Sequence, residues 1–153
     1  MLRVTQALIH ADLVVKSIDQ SIDFLKYFLD VTIYDDVVVD GELPVFLSQK
    51  RASRMRLVLL RLSPVGAMLE LMEFLDGPSD VAEQVHTNRV SLSVLVSDLQ
   101  GVIARARSHG IEPQSDVFTV AMSRAGSHQI VFFRDPNGFL IELVGKCGVP
   151  PVS

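Results

Sequence analysis

The 153-residue sequence has little cysteine and no long apolar run. Its single cysteine, Cys147, excludes an internal disulfide and predicts a protein of the reducing cytoplasm. No segment approaches the roughly 18 apolar residues of a membrane-spanning helix. The first residues, Met-Leu-Arg-Val-Thr-Gln, lack the apolar core of a signal peptide, so we expect no secretion. The net charge of −4 lacks the positive excess of a general nucleic-acid-binding protein.

The sequence also lacks a phosphate-binding glycine loop, a nucleophile elbow and a Cys–His zinc motif, so it indicates none of these site types. What is present is the composition of a well-folded globular protein, with 48% hydrophobic and 21% charged residues. At 153 residues the chain fits one ordinary domain. Each half would bury only a thin core alone, so we expect the two halves to pack as one unit.

The pattern Pro-x-Gly-x-x-x-Glu-Leu occurs twice, at residues 64–71 and 136–143. Proline fixes φ and the following glycine permits a positive φ, so each copy predicts a tight turn that leads into a strand. The strand carries one carboxylate in its middle, Glu70 in the first copy and Glu142 in the second. A buried carboxylate is costly unless a positive group meets it. The repeat therefore indicates duplicated modules that deliver two acids to one place.

The repeat extends upstream, because a strand that runs into a helix precedes each glutamate strand. Apolar periodicity predicts helices over residues 18–29 and 98–109. It also predicts two sets of four strands, at residues 6–15, 31–39, 55–62 and 67–74 and at residues 89–97, 115–122, 127–134 and 138–145. The predicted order is thus βαβββ twice, with residues 42–55 as an insertion in the first copy. The predicted single domain consists of module one at 6–75, a linker at 76–88, module two at 89–146 and a tail at 147–153.

The stretch at residues 132–143 reads Phe-Phe-Arg-Asp-Pro-Asn-Gly-Phe-Leu-Ile-Glu-Leu. Together with Ile9-His10 and the Glu70 strand, it resembles the signature of the vicinal oxygen chelate superfamily. This group contains glyoxalases, bleomycin-resistance proteins and extradiol dioxygenases. The resemblance covers about residues 6–146. It implies an α+β fold in which two tandem βαβββ modules form a curled mixed sheet around a shared cleft.

In metal-dependent members of the family, the first and fourth strands of each module offer one ligand apiece. The matching positions here are His10, Glu70, Ser91 and Glu142. His10, Glu70 and Glu142 suit a hard or borderline divalent ion, so the resemblance implies Mg, Mn, Ni or Zn as cofactor. Ser91 departs from the pattern, because that position usually holds a histidine or another strong ligand. A serine hydroxyl is a weak ligand, so a water would fill the position, and metal binding stays open.

Strand parity predicts which other residues face the cleft. Side chains alternate between the two faces of a strand, so Asp12 and Val14 share the face of His10, and Ser93 shares the face of Ser91. We therefore expect each strand to have an aliphatic face toward the helices and a mixed face toward a ligand.

The two glutamates have an alternative partner. Two carboxylates that converge without a cation repel each other, and one is driven to take a proton. A metal ion removes this cost, but so does an ion pair with Arg56, Arg61, Arg89 or Arg134.

His128 precedes the strand at residues 129–133 and is a third candidate catalytic residue beside Glu70 and Glu142. Histidine titrates near neutral pH and can act as a proton donor or base. The alternative is a histidine at the end of a loop, exposed to solvent.

Two functions follow from the resemblance. The first is a metal-dependent enzyme of the isomerase, epimerase or lyase type, acting on a small molecule with vicinal oxygens, whose enolate-like anion is stabilised by Lewis acidity. Glu70 or Glu142 would double as general base. Extradiol cleavage ranks lower, since it usually requires two histidines and one carboxylate. The alternative is a metal-free protein that binds a small molecule or antibiotic, as bleomycin-resistance proteins do.

We also expect a homodimer, because an isolated pair of small modules leaves exposed sheet edges that favour association. No nucleic-acid or membrane partner is expected.

Overall fold

The computed structural model describes residues 5–63, 66–85, 88–134 and 138–147. The first half supplies the strands β1 (Thr5–Val14), β2 (Asp30–Asp40), β3 (Arg54–Ser63) and β4 (Ala67–Phe74). The second half supplies β5 (Val90–Val96), β6 (Phe118–Met122), β7 (Gly126–Arg134) and β8 (Leu140–Lys146). The helices are α1 (Ile18–Leu25), α2 (Glu42–Leu47), α3 (Val81–Gln84) and α4 (Leu99–Ser108). None of these helices is long and apolar enough for a membrane-spanning segment.

The described strands form one curled sheet of eight, in the order β2-β3-β4-β1-β5-β8-β7-β6. The order βαβββ occurs twice, which confirms the predicted α+β fold. Two short helices are additions to the predicted order. α2 lies in the predicted insertion between β2 and β3, and α3 lies in the segment between the two halves.

The pairing of the central strands relates the two halves by an approximate two-fold axis. β1 pairs with β5 antiparallel, while β1–β4 and β5–β8 are both parallel. Asp12 lies opposite Glu70 in the first parallel pair, and Ser93 lies opposite Glu142 in the second. The two glutamates therefore occupy equivalent strands, as the sequence repeat predicts.

The turns that precede the glutamate strands have the predicted glycine conformation. Gly66 has a φ of +70° and Gly138 a φ of +102°, values that favour glycine because it lacks a Cβ. Residues 64–65 and 135–137, which belong to the predicted turns, lie outside the described residues, as do residues 148–153 of the predicted tail.

The helices α1 and α4 cover the outer face of the sheet. α1 begins at its N-cap Ser17, whose side chain accepts a hydrogen bond from the backbone N–H of Gln20. Its buried residues, Ile18 and Ile22, pack against Val58, Leu60 and Leu71. In the other half, α4 has Asp98 as its N-cap and packs against β5 and β7.

The first helix is shorter than its predicted range of 18–29. It ends at Leu25, and the next backbone bonds, from Tyr27 to Phe24 and from Phe28 to Leu25, span only three residues. Phe24 and Phe28, which belong to the predicted helix range, are 62% and 71% exposed. The apolar pattern of the sequence here extends beyond the end of the helix and includes residues that are exposed to solvent.

The concave face of the sheet is covered by α2 and the segment that follows it. Leu43 and Leu47 of α2 are buried with Met55, Leu57 and other residues of the inner face. The Phe46 ring stacks on Phe132, with ring centroids 5.1 Å apart. The insertion therefore closes one side of the cleft.

Asp35 joins the two edge strands of the sheet where they approach each other. It lies on β2 and is only 4% exposed, and its Oδ2 accepts a hydrogen bond of 2.8 Å from the backbone N–H of Arg124, between β6 and β7. Burial raises the pKa of Asp35, but the backbone N–H groups of Arg124 and Asp36 outweigh it, so the pKa lies below its usual value. This contact favours the nearly closed shape of the sheet.

Replacing Asp35 by alanine should lower the free energy of unfolding by about 1–3 kcal/mol, because a buried charged acceptor is removed. The matched control is Asp36→Ala, since the Asp36 side chain is 40% exposed in an ion pair with Arg56. That variant should lose less than about 1 kcal/mol. Urea unfolding at neutral pH measures both, and equal losses would contradict the closing role of Asp35.

Candidate functional site

A cavity of about 100 Å³ lies on the concave face of the sheet. Its polar lining consists of His10, Glu70, His128 and Glu142, which come from both halves of the chain. The rest of the lining is apolar and includes Ile9, Leu43, Leu57, Leu59, Val120, Met122, Ala125, Ile130 and Val144. The structure thus brings the three predicted ligands and the third candidate catalytic residue to one cavity.

His10 is the centre of the polar cluster. Its Nε2 atom lies 2.8 Å from Asp12 Oδ1, 3.8 Å from Glu70 Oε2 and 3.9 Å from Glu142 Oε2. The three acidic residues are buried, with exposures of 1% for Asp12 and 8% for each glutamate. One ligand atom each from His10, Asp12 and Glu142 lies within 4.8 Å of the other two. Such a group of atoms could hold a metal ion.

Asp12 belongs to this cluster although the predicted ligand set omits it. The two-residue period of β1 predicted that it shares the face of His10, and this is where it lies. The family pattern implies one ligand per strand, and that is why a second acid on β1 was not counted. The alternation of side chains along β1 was the signal in the sequence that could have identified Asp12.

The Ser91 hydroxyl is directed at Asp12. Its Oγ atom donates a hydrogen bond of 2.5 Å to Asp12 Oδ2, and both residues are 1% exposed. The neighbouring Ser93 is fully buried. Its oxygen makes no hydrogen bond of good geometry, but it lies near enough to Glu142 to favour the ionised form of that carboxyl group.

The arginine alternative finds no support in the described part of the chain. Arg56 pairs there with Asp19 and Asp36, and Arg61 lies over the Tyr34 ring. None of the ion pairs formed by described residues joins an arginine to either glutamate of the site. The charged partner that both glutamates share is the imidazole of His10.

The cluster raises the pKa values of His10, Glu70 and Glu142, which relieves repulsion between the carboxylates. Burial lowers the pKa of His10, but the close carboxylate of Asp12 and the nearby glutamates raise it to about 9. Burial and the charge of Asp12 raise the pKa of Glu70 to about 7. Burial, Asp12 and Glu70 raise the pKa of Glu142 well above its usual value. The direction agrees with the expectation that converging carboxylates without a cation take up a proton.

His128 lies on β7 in the wall of the same cavity. Its Nδ1 atom is 3.1 Å from the backbone oxygen of Gly126, which leaves Nε2 as the ring nitrogen available to a ligand. The side chain is half-buried and is not a solvent-exposed loop residue. Its part in proton transfer stays a prediction.

The sequence matches the family model of the Glyoxalase/Bleomycin resistance protein/Dioxygenase superfamily over residues 7–143. The chain belongs to this superfamily. The match spans both halves of the sheet and includes His10, Asp12, Glu70 and Glu142. No curated relative matches the sequence.

Solved structures of the superfamily fold are similar over almost the whole chain. Methylmalonyl-CoA epimerase from Mycobacterium tuberculosis is 24% identical, with a TM-score of 0.69, and the match covers 96% of this chain and 93% of that one. A variant of the Streptomyces coelicolor epimerase in complex with 2-nitronate-propionyl-CoA is 19% identical, with a TM-score of 0.66 and coverages of 95% and 97%. A mutant of 4-hydroxymandelate synthase from the same species is 15% identical, with a TM-score of 0.63 and coverages of 95% and 49%. At these identities the likeness shows the shared fold.

In the presence of a chelator, the free energy of unfolding should fall as the pH rises from 5 to 9. The pKa of Glu70 in the folded state, about 7, lies above its ordinary value of 4.5, so between these values the folded state keeps a proton that the unfolded state releases. His10 does the same between pH 6.5 and about 9. Each such proton costs up to about 1.4 kcal/mol per pH unit.

Denaturant unfolding at pH 5, 7 and 9 measures this loss. The Glu70→Gln variant is the control, because it cannot ionise and should flatten the decline between pH 5 and 7. A wild-type protein that grows more stable over the whole interval would contradict the burial of these groups.

Proposed function

We propose that this protein is a divalent-metal-dependent enzyme of the isomerase, epimerase or lyase type. Its substrate is a small molecule with two adjacent oxygens. The observation that carries the proposal is the convergence of three buried carboxylates on one imidazole, at a cavity whose other walls are apolar. Membership of the glyoxalase superfamily supports the same reading.

The residues of the cluster suit a divalent ion. Asp12 Oδ1 and His10 Nδ1 are buried, and neither makes a hydrogen bond of good geometry with the described residues, although Asp12 Oδ1 lies close to His10 Nε2. Three carboxylates around one imidazole also leave an excess of negative charge, and a buried charge is costly unless it is paired or coordinates a metal. His10, Asp12 and Glu142 would hold the ion, with Glu70 beside them. Imidazole nitrogen and carboxylate oxygen are ligands that Mg, Mn, Ni and Zn accept to different degrees.

A bound divalent ion would supply Lewis acidity toward a carbonyl or enolate oxygen of the substrate. The proton chemistry would belong to the side chains. Glu70 on β4 and Glu142 on β8 approach the cluster from opposite sides of the β1–β5 pair. An epimerase must remove a proton from one face of a carbon and return it to the other, and two carboxylates on opposite sides suit this task. His128 on the cavity wall is the third candidate proton carrier.

The walls of the cavity favour a substrate with an aliphatic body. Among the described residues that line it there is no lysine or arginine, and the basic groups of this described lining are the imidazoles of His10 and His128. A substrate would thus be held by its oxygens at the divalent ion of the carboxylate cluster and by apolar contact elsewhere. The structural neighbours named methylmalonyl-CoA epimerase make an acyl thioester with a second carbonyl group the first compound to test.

The second candidate function is metal-free binding of a small molecule or antibiotic. The apolar walls favour it, because they would bind an aliphatic or aromatic ligand without any chemistry. The acidic cluster would then suit a cationic group on that ligand.

The homodimer also remains a proposal. Phe24, Tyr27 and Phe28 lie together at the end of α1 and are 62%, 82% and 71% exposed. Neighbouring exposed aromatic side chains are typical of surfaces that associate.

Dialysed protein should bind Mn²⁺ at one site, and Glu142→Gln should lower the affinity by about 10-fold or more, about 1.4 kcal/mol. The cause is the loss of one negative charge from the cluster. Glu83→Gln is the matched control, because Glu83 is a surface residue paired with Lys16 and should leave the affinity unchanged. Isothermal titration calorimetry measures the Mn²⁺ affinity of the wild type and of both variants. If the wild type binds no divalent ion and Glu142→Gln changes nothing, the metal-free function is favoured instead.

The metal-loaded protein should catalyse exchange of the proton next to a carbonyl group with solvent. Proton NMR in D₂O follows the loss of that signal, with methylmalonyl-CoA and small hydroxyketones as compounds. Glu70→Gln should slow the exchange by about 100-fold or more, since a general base is removed, while Glu83→Gln should not. If the protein binds metal but exchanges the proton of none of these compounds with solvent, the isomerase and epimerase types are contradicted.

A further inference from the structure

The two halves of the sheet contribute unequally to the polar cluster. In the antiparallel β1–β5 pair, His10 lies opposite Ser93 and Asp12 lies opposite Ser91. Where β1 supplies an imidazole and a carboxylate, β5 supplies two hydroxyl groups at the equivalent positions. Both serines are buried, at 1% and 0% exposure. A hydroxyl group buried beside a carboxylate acts first as a hydrogen-bond donor.

The Ser91 hydroxyl is committed to Asp12. A serine has one proton to donate, and here it goes to Asp12 Oδ2 over 2.5 Å, a short distance typical of a charge-assisted bond. The second oxygen of Asp12, Oδ1, is turned toward His10 Nε2 at 2.8 Å. One oxygen of Asp12 is therefore fixed by β5, and the other is presented to the cluster.

We propose that Ser91 is a positioning residue, which holds Asp12 in the orientation of a metal ligand. The acidic group that β5 does not supply then comes from β1, and the serine keeps it in place across the strand pair. The inference rests on the proposed metal-dependent function. It predicts a ligand set of one nitrogen and several carboxylate oxygens, which suits a hard ion such as Mn²⁺ or Mg²⁺.

The alternative is that Ser91 serves packing alone. In that case its hydroxyl could be removed without any effect that depends on Asp12. A positioning role predicts the opposite. The contribution of Ser91 to metal affinity must disappear when Asp12 can no longer act as an anionic ligand. A double-mutant cycle separates these two cases.

The experiment measures Mn²⁺ affinity by calorimetry and the electron paramagnetic resonance spectrum of bound Mn²⁺. Ser91→Ala should weaken binding by about 10-fold, as is typical when a group that orients a ligand is removed. Asp12→Asn should weaken it at least as much. In the Asp12→Asn background, Ser91→Ala should have less than about a two-fold further effect.

Two serine variants serve as controls. Ser91→Thr keeps the hydroxyl group and should restore both the affinity and the wild-type spectrum. Ser93→Ala removes the neighbouring hydroxyl, which lies near Glu142, so its effect should add to that of Asp12→Asn. Thermal unfolding in chelator checks that each variant folds, and Ser91→Cys, a weaker donor of similar size, replaces Ser91→Ala if that variant does not.

The outcomes distinguish the two proposals. If wild-type protein binds no Mn²⁺, both the metal-dependent function and the role of Ser91 are overturned. If wild-type protein binds Mn²⁺ but Ser91→Ala has no effect, or keeps its full effect in the Asp12→Asn background, only the role of Ser91 is overturned. The role of Ser91 is supported if Ser91→Ala lowers the Mn²⁺ affinity only when Asp12 is present and if Ser91→Thr restores that affinity.

Discussion

The antiparallel pairing of β1 with β5 is the contact on which the rest of the site depends. It joins the two halves of the sheet, and its register brings His10 and Asp12 against Ser93 and Ser91. The parallel neighbours β4 and β8 then carry Glu70 and Glu142 to the same level of the sheet. Without this pairing, Glu142 on β8 would be separated from His10, Asp12 and Glu70 of the first half. With it, six polar side chains meet at the centre of an otherwise apolar face.

The convergence of these polar side chains lowers the stability of the folded protein. Asp12, Glu70 and Glu142 are buried beside one imidazole, and their burial together with their mutual repulsion raises the pKa of both glutamates. Buried like charges persist only where the surrounding structure holds them together. Here the hydrogen-bonded ladders of four central strands fix the positions, and the Ser91 bond fixes Asp12. Such a cluster is typical of a site that receives a cation or a proton, and it is the reason we favour chemistry over binding alone.

The two modules have diverged around this symmetric centre. The first module contains α2, which places Leu43 over the cavity and Phe46 against Phe132. The second module carries serines on its first strand, opposite the imidazole and carboxylate of β1. Asp35 closes the far side by joining β2 to the turn after β6. The two halves of the cavity therefore share one strand order but carry different side chains.

The sequence by itself determined the repeated βαβββ order and the equivalent strands of Glu70 and Glu142, because these depend on turn chemistry and on the periods of local structure. It placed Asp12 on the face of His10 for the same reason. The family followed from the resemblance of residues 132–143 to its signature. Only the tertiary structure decided what these side chains meet. That Ser91 bonds to Asp12, that α2 covers the cleft and that Phe24 and Phe28 stay on the surface depend on strand register and helix ends. Those are set by contacts between residues far apart in the chain, which no local period encodes.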